Sequence, residues 1–167
     1  MNPLIANLIQ AMVAFDRADA KRIHHFVKVH NFATTIATLE GLDPQTDLIT
    51  QAAAVVHDIG IHQCEQLYGK CDGYLQEKEG PALASQLLQQ VGGFTPQQIE
   101  RVAFLVGHHH TYSGVQGIDW QILLEADFLV NCYEDCLTPQ QISHFVTHVF
   151  RTQSGLNLIA NMFPQVH

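Results

Sequence analysis

The sequence predicts an all-α fold, and three observations lead to this prediction. Apolar residues recur at intervals of three and four along most of the chain, which is the period of a helix that buries one face. Several of these stretches begin with an N-cap residue followed by proline, as at Asp43, Thr95 and Thr138. No stretch of useful length alternates apolar and polar residues as a half-buried strand does. We therefore expect a helical bundle.

The N-terminal third is predicted to form three helices. The first covers residues 3–15, with a proline in its first turn. The second runs from about residue 20 to residue 40 and ends at Gly41, because glycine commonly terminates helices. The third begins at Asp43 and carries a run of small and apolar residues into His57 and Asp58.

The middle of the chain is predicted to alternate loops and helices. Residues 61–76 are polar and mixed and are predicted to form a loop. Gly80-Pro81 is predicted to open a helix that Gly92-Gly93 closes. A capping box at Thr95 starts the next helix, which runs into three consecutive histidines at 108–110. Residues 111–118 are predicted to form a loop, and we expect this loop and 61–76 to determine specificity.

The last third continues the helical pattern. Asp119 is predicted to cap a helix that is apolar apart from a few residues, one of which is Asp127. A second capping box begins a helix at Thr138, and residues 155–163 are predicted as a short final helix. Without a linker or a repeat, residues 1–167 are predicted to be a single domain, in which 138–163 form the C-terminal helices.

Composition limits the classes of function. The 167 residues suffice for one ordinary core, and no apolar run approaches the roughly 20 residues that span a bilayer. No basic segment precedes the first apolar stretch as in a signal peptide, so we expect a cytoplasmic protein without a membrane partner. The net charge is −8 with only 8 Lys and Arg, which makes duplex nucleic acid an unexpected partner. The four cysteines do not have zinc-finger spacing and are expected to be reduced thiols.

Metal-ligand residue types stand where the helical pattern calls for apolar residues or helix ends: His25, His57-Asp58, His108-His109 and Asp127. Each has an ordinary alternative, such as a hydrogen-bonded core histidine, a helix C-terminus, a polar loop or an ion pair between Asp127 and Arg101. Buried polar groups need partners, and one divalent ion would serve them together. Imidazole nitrogen and carboxylate oxygen both bind such ions.

The order of these residues resembles the HD-domain superfamily of metal-dependent phosphohydrolases. Three segments carry the resemblance, which covers about residues 20–135: His25-Phe26-Val27-Lys28-Val29, His57-Asp58-Ile59-Gly60 and Glu125-Ala126-Asp127. Two further segments are similar to a small, single-domain bacterial subgroup: Glu77-Lys78-Glu79-Gly80-Pro81 and residues 107–113. The resemblance implies a helical bundle of the HD-domain type.

The resemblance also implies a ligand set. His25, His57, Asp58 and Asp127 would hold one divalent ion (Mn, Fe, Co, Ni, Zn or Mg), with His30 as the alternative first ligand. In dinuclear members Asp58 would bridge to a second metal held by further histidines, a role for which His108 and His109 are candidates. The chain departs from many dinuclear members at Gln76-Glu77, where they have His-Glu. Glu77 is therefore a candidate substitute ligand or base.

The expected chemistry is hydrolysis of a nucleotide or another small phosphoester. A divalent metal lowers the pKa of water from about 16 toward 7 and polarises a phosphoryl oxygen. Asp58, Glu77, His108 and His109 are the candidate catalytic residues, and the two histidines would bind phosphoryl oxygens or protonate a leaving group. Lys70 and Arg101 are weaker candidates for phosphate contacts, since surface charges are usually solvated.

Two other functions stay open at this point. Some HD-type proteins use a di-iron site for oxygenase chemistry, and the paired histidines 108 and 109 are compatible with that role. A non-catalytic module that binds a nucleotide is the third reading. A homodimer is compatible with each.

Overall fold

The computed structural model describes residues 2–166, which form nine α-helices and a terminal 3₁₀ turn without a strand. The predicted all-α class is confirmed. The prediction of one domain over 1–167 stays a prediction, and its two terminal residues lie outside the described residues. In chain order the helices are α1 (Pro3–Phe15), α2 (Ala20–Leu39), α3 (Pro44–Val56), α4 (Ile61–Tyr68), α5 (Gly73–Val91), α6 (Pro96–Val106), α7 (Ile118–Glu134), α8 (Pro139–Val149) and α9 (Gln153–Met162).

The helix starts that the sequence marks with capping residues are confirmed. The Asp43 carboxylate accepts hydrogen bonds from the backbone N–H groups of Gln45 and Thr46 at the start of α3. Thr95 and Thr138 form complete capping boxes, in which the threonine hydroxyl and a glutamine side chain satisfy each other's backbone N–H groups. These contacts fix where α3, α6 and α8 begin.

The prediction of a loop over residues 61–76 is wrong. Helix α4 occupies Ile61–Tyr68 and ends at Gly69, whose φ of 66° is the left-handed conformation that glycine tolerates best. Helix α5 then begins at Gly73, after Asp72 accepts a hydrogen bond from the backbone N–H of Leu75. Only a few apolar residues mark α4, because it buries little besides Cys64 and therefore lacks an apolar stripe.

The prediction that Gly80-Pro81 opens a helix is also wrong, because Pro81 lies inside α5. Gly80 instead allows neighbouring helices to pack closely. A Cβ atom on Gly60 would lie 3.0 Å from the Gly80 nitrogen, and one on Gly80 would lie 2.7 Å from Cγ1 of Val106. These glycines let α5 approach both the end of α3 and helix α6. The approach brings the first half of α5 beside His57 and Asp58.

Two smaller differences concern the last third of the chain. Asp119 is not the N-cap of α7; Gly117 holds that position with a φ of 99°. The Asp119 carboxylate instead accepts from Arg101 at 2.8 and 2.7 Å, so Arg101 pairs with Asp119 and not with Asp127. The final helix begins at Gln153 rather than at residue 155.

The core is built around α7, which packs against α2 and α3 and is buried from Asp119 to Val130. Helix α3 contributes the uninterrupted buried run 49–56. Glu125 is buried on α7 and accepts hydrogen bonds from Gln121 and from the backbone N–H groups of Arg151 and Thr152, which ties the α8–α9 connection to the core. Among the described residues, no helix combines the length and the apolar character needed to cross a membrane.

Candidate metal centre

Four predicted ligands from three parts of the core meet in one place. His25 comes from α2, His57 and Asp58 follow α3, and Asp127 comes from the middle of α7. Nε2 of His25 lies 3.2 Å from both Nε2 of His57 and Oδ1 of Asp127. Oδ2 of Asp58 lies 3.4 Å from Nε2 of His57 and 3.5 Å from Nε2 of His25. We call these four residues the first ligand group.

Hydrogen bonds orient both imidazoles of this group. Nδ1 of His57 donates to the Ala54 carbonyl oxygen at 3.0 Å, and Nδ1 of His25 donates to Oε2 of Glu134 at 2.9 Å. A neutral imidazole that donates through Nδ1 keeps its lone pair on Nε2. Both lone pairs therefore point at the two carboxylates, an arrangement that a cation among them would satisfy. The donor set fits a divalent metal ion.

Glu134 contacts the first ligand group through His25, and the sequence reasoning missed it. It lies on α7 seven residues after Asp127, close to two full helical turns, and so returns to the same face. Lys28 forms an ion pair with it from α2. A separation of seven residues from a buried residue is a weak sequence signal by itself, because many exposed glutamates on helices have it.

The buried charges of the first group hold one another in their charged forms when only protons are bound. Burial disfavours the imidazolium of His57, but Asp58 and Asp127 outweigh it and raise the pKa of His57 to about 9. Burial would raise the pKa of Asp127, but His25 and His57 outweigh it and hold that pKa well below its usual range. A proton and a metal ion therefore compete for the same Nε2 atoms.

A second group lies on the other side of Asp58. Its members are Asp58, Gln76 from α5, and His109 and His110 from the turn after α6. Nε2 of His109 lies 3.4 Å from Oδ1 of Asp58, and Oε1 of Gln76 lies 3.2 Å from Nε2 of both histidines. Nδ1 of His109 donates to the Val106 carbonyl oxygen, which turns its Nε2 inward. Asp58 thus directs one oxygen to each group, as a bridging carboxylate would.

His110 belongs to this second group and was missed by the sequence reasoning. Burial and the neighbouring His109 lower the pKa of His110 to about 4, so its imidazole is neutral near pH 7. Its ring packs beneath Gly73 at the start of α5, where a Cβ atom would lie 2.9 Å from the His110 ring. The sequence pattern of three consecutive histidines does not indicate which of them point inward.

The structure places His108 outside both groups, which corrects its assignment as a second-metal or catalytic histidine. Its ring stacks on Phe104 with centroids 4.1 Å apart and meets Trp120 edge-on. Its Nδ1 donates to the Phe104 carbonyl oxygen at 2.7 Å. The turn that follows α6 directs His109 and His110 inward and leaves His108 on the helix surface.

Glu77 lies beside the second group without joining it. Its Oε1 accepts hydrogen bonds from the His110 backbone N–H and the Thr111 hydroxyl, both at 2.9 Å. The carboxylate therefore holds the 108–111 turn in place, while the preceding residue, Gln76, directs its side chain to the histidines. This geometry gives Glu77 a positioning role and gives no support to its assignment as a base.

The remaining candidates lie away from the two groups. His30 is buried elsewhere, beside Gln51 and Thr34, so the structure favours His25 over His30 as the first ligand. Lys70 pairs with Asp72 on the surface and Arg101 pairs with Asp119. Neither cation lies in the groups described above.

Comparison with known proteins adds one solved structure. No family model and no curated protein matches the chain. The crystal structure of a predicted HD superfamily hydrolase from an uncultured Thermotogales bacterium matches 99% of this chain and 86% of its own, with a TM-score of 0.64 and 24% identity. The chain has the HD-domain fold. The HD-domain bundle expected from His25, His57-Asp58 and Asp127 is thereby confirmed, as a likeness of fold.

Proposed function

We propose that this HD-domain chain is a metal-dependent hydrolase that cleaves a small phosphoester with water. The observation that carries the proposal is the meeting of His25, His57, Asp58 and Asp127, whose ligand atoms lie within 3.5 Å of a neighbour. The hydrolase named in the solved structure of the same fold supports the reaction class.

Phosphoryl transfer needs positive charge, and this chain offers little of its own. It carries 16 acidic against 8 basic side chains, and neither ligand group contains a lysine or an arginine. A divalent ion supplies that charge, polarises a phosphoryl oxygen and acidifies water. The first group would hold such an ion, and the group of Asp58, Gln76, His109 and His110 would hold a second one.

The chain's own residues position the reactants. Asp58 lies between the two groups and presents a carboxylate oxygen to each, so it can accept a hydrogen bond from the attacking water and orient it. Glu134 keeps Nε2 of His25 directed at the centre through the bond to Nδ1. Glu77 fixes the turn that carries His109 and His110. Positioning of this kind is most of what phosphoryl transfer asks of a protein.

A phosphoester assay tests the proposal. Protein purified without an affinity tag or chelator is loaded with Mn²⁺ and assayed with p-nitrophenyl phosphate and a panel of phosphoesters. We expect turnover that His57→Ala and Asp127→Asn reduce by at least about 10²-fold, because each removes a ligand of the same ion. Glu100→Gln on the exposed face of α6 is the matched control and should keep full activity. Metal-loaded protein that hydrolyses no phosphoester would contradict the proposal.

The second ligand group supports a second candidate function, that of an oxygenase. Asp58, His109 and His110 lie close enough to one another to hold an ion beside the first group, which is what a di-iron centre requires. About two irons per chain, with a visible or EPR signal that changes on exposure to O₂, would favour it over hydrolysis. One ion per chain of any other metal, together with phosphoester turnover, would exclude it.

A further inference from the structure

A cleft of about 290 Å³ opens directly onto the first ligand group. Its walls come mainly from the start of α2 and the end of α7, and His25 and Asp58 are among its lining residues. A substrate whose phosphoryl group reaches the first group through this cleft must place the rest of the molecule between these walls. The inference below rests on the proposed function and concerns what that remaining part is.

The cleft is small for a ligand site. Its volume lies at the lower end of the range of about 300–1,000 Å³ that is typical of small-molecule pockets. A larger groove of about 900 Å³ lies between α1 and α2, but it is mainly apolar and contains no residue of either ligand group. Of these two cavities, the smaller cleft is the one lined by His25 and Asp58, and its size favours a compact organic part of the substrate.

The walls of the cleft are polar. Among the residues that the structure describes there, Ile61 is the one apolar side chain, and none is Phe, Tyr or Trp. Proteins that bind nucleobases commonly stack them on flat aromatic or apolar side chains. A purine or pyrimidine would find no such surface in this cleft.

Hydrogen-bond acceptors dominate these walls. Asp19, Glu134, Asp135 and Asp58 contribute carboxylates to the lining, together with the cations Lys21 and Arg22. The Glu134 carboxylate is already bound by His25 and Lys28. The Arg22 guanidinium is already bound by Asp19 and by Glu65, the latter at 2.7 Å. Asn131 stands on α7 one turn beyond Asp127, and its amide can both donate and accept. A wall of this kind complements a ligand that carries donors.

We infer that the substrate is a phosphoester with a compact, polar organic part whose hydroxyl or ammonium groups bind Asn131 and the carboxylates of Asp19 and Asp135. The phosphoryl group lies at the first ligand group, and the donors of the organic part point outward along the cleft. A nucleotide is a poorer fit to this cleft, because the cleft is small and its described walls contain no aromatic side chain. The sequence left the substrate open among nucleotides and other small phosphoesters, and the inference narrows it to esters with a compact, polar organic part.

Kinetics on matched substrates test the inference. With Mn²⁺-loaded protein we compare glycerol 3-phosphate, phosphoethanolamine and AMP with p-nitrophenyl phosphate as a general substrate. We expect kcat/KM for at least one of the two compact polar esters to exceed that for AMP by about tenfold or more, the equivalent of one hydrogen bond. Asn131→Ala and Asp135→Asn should lower that advantage about tenfold. Glu100→Gln is the control for an exposed charge.

Binding gives a second readout that does not depend on turnover. Phosphonate analogues of the same three esters are titrated calorimetrically into Mn²⁺-loaded protein and into the Asn131→Ala variant. Tighter binding of a compact polar phosphonate, lost in the variant, supports the inference even if no ester is hydrolysed and the proposed function fails. Preference for the nucleoside phosphonate, or an order of affinity that Asn131→Ala leaves unchanged, would overturn the inference while phosphoester turnover could still stand.

Discussion

At the scale of single residues, the orientation of each imidazole accounts for the centre. His25, His57 and His109 each donate through Nδ1 to an acceptor outside the group, so each presents Nε2 inward. For His57 and His109 the acceptor is a backbone carbonyl three residues earlier, which mutation of a side chain cannot remove. His25 instead depends on the Glu134 carboxylate. A mutation can remove this carboxylate, so the dependence can be tested.

Replacing Glu134 tests this dependence. Glu134→Ala removes the acceptor for Nδ1 of His25, so we expect metal affinity to fall by about 10–100-fold, the usual loss when such a supporting partner is removed. Glu134→Gln keeps an acceptor oxygen and should lose less. Competition for Zn²⁺ with a chromophoric chelator measures both, with Glu100→Gln as control. Equal affinity of the Glu134→Ala variant and the unmodified protein would show that His25 is oriented without Glu134.

We expect Gln76 to make the second group the weaker metal site. Its neutral amide oxygen is a poorer ligand for transition metals than an imidazole nitrogen. We expect Gln76→His to raise the metal content of protein loaded with limiting Mn²⁺ or Fe²⁺ toward about two ions per chain. Elemental analysis provides the measurement. An unchanged metal content would mean that the amide is not what weakens the second group.

At the scale of elements, the close approach of α5 to α6 positions Gln76. Gly80 permits it, because a Cβ atom there would lie 2.7 Å from Cγ1 of Val106. We expect Gly80→Ala to lower the free energy of unfolding by about 1–3 kcal/mol, as overpacked core substitutions do. Urea denaturation measures the change.

A second variant separates overpacking from other causes. In a Val106→Ala background the clashing methyl group is gone, so Gly80→Ala should cost clearly less than it does in the unmodified chain. The same cost in both backgrounds would show that the helix approach does not depend on this contact.

At the scale of the whole molecule, buried titratable groups link stability to pH. Burial lowers the pKa of His30, and its bond to Gln51 offsets this only in part. The unfolded chain therefore binds a proton at His30 more readily than the folded chain does, so the contribution of His30 to stability falls as the pH drops below about 6.5. Burial raises the pKa of Asp16 to about 6, which acts with the opposite sign between about pH 4 and 6.

A difference measurement isolates the His30 contribution. Urea unfolding of the unmodified chain and of His30→Gln is compared from pH 5 to 8 at fixed metal concentration. Because Asp16 is common to both proteins, we expect the stability of the unmodified chain to decline more steeply on acidification than that of the variant. Parallel pH profiles would contradict a depressed pKa for His30.

The sequence predicted most of the fold but less of the centre. Helices with an apolar stripe and a capping residue were located correctly, since Asp43, Thr95 and Thr138 mark their starts chemically. Helix α4 was missed because only a short face of it is buried, and Pro81 was taken for a helix start because local rules do not show that α5 continues through it. The register of the 108–110 turn depends on Glu77 and on α5, which no local pattern reveals.

The central claim is that His25, His57, Asp58 and Asp127 hold a metal ion, and its most direct test is the metal content per chain. Elemental analysis is made on protein purified without tag or chelator, before and after loading with micromolar divalent ions. We expect at least about one ion of Mn, Fe, Co, Ni or Zn per chain, and a clear loss in the His57→Ala variant. A chain that contains no metal and takes up none on loading, or a His57→Ala variant that retains its full metal content, would contradict the account.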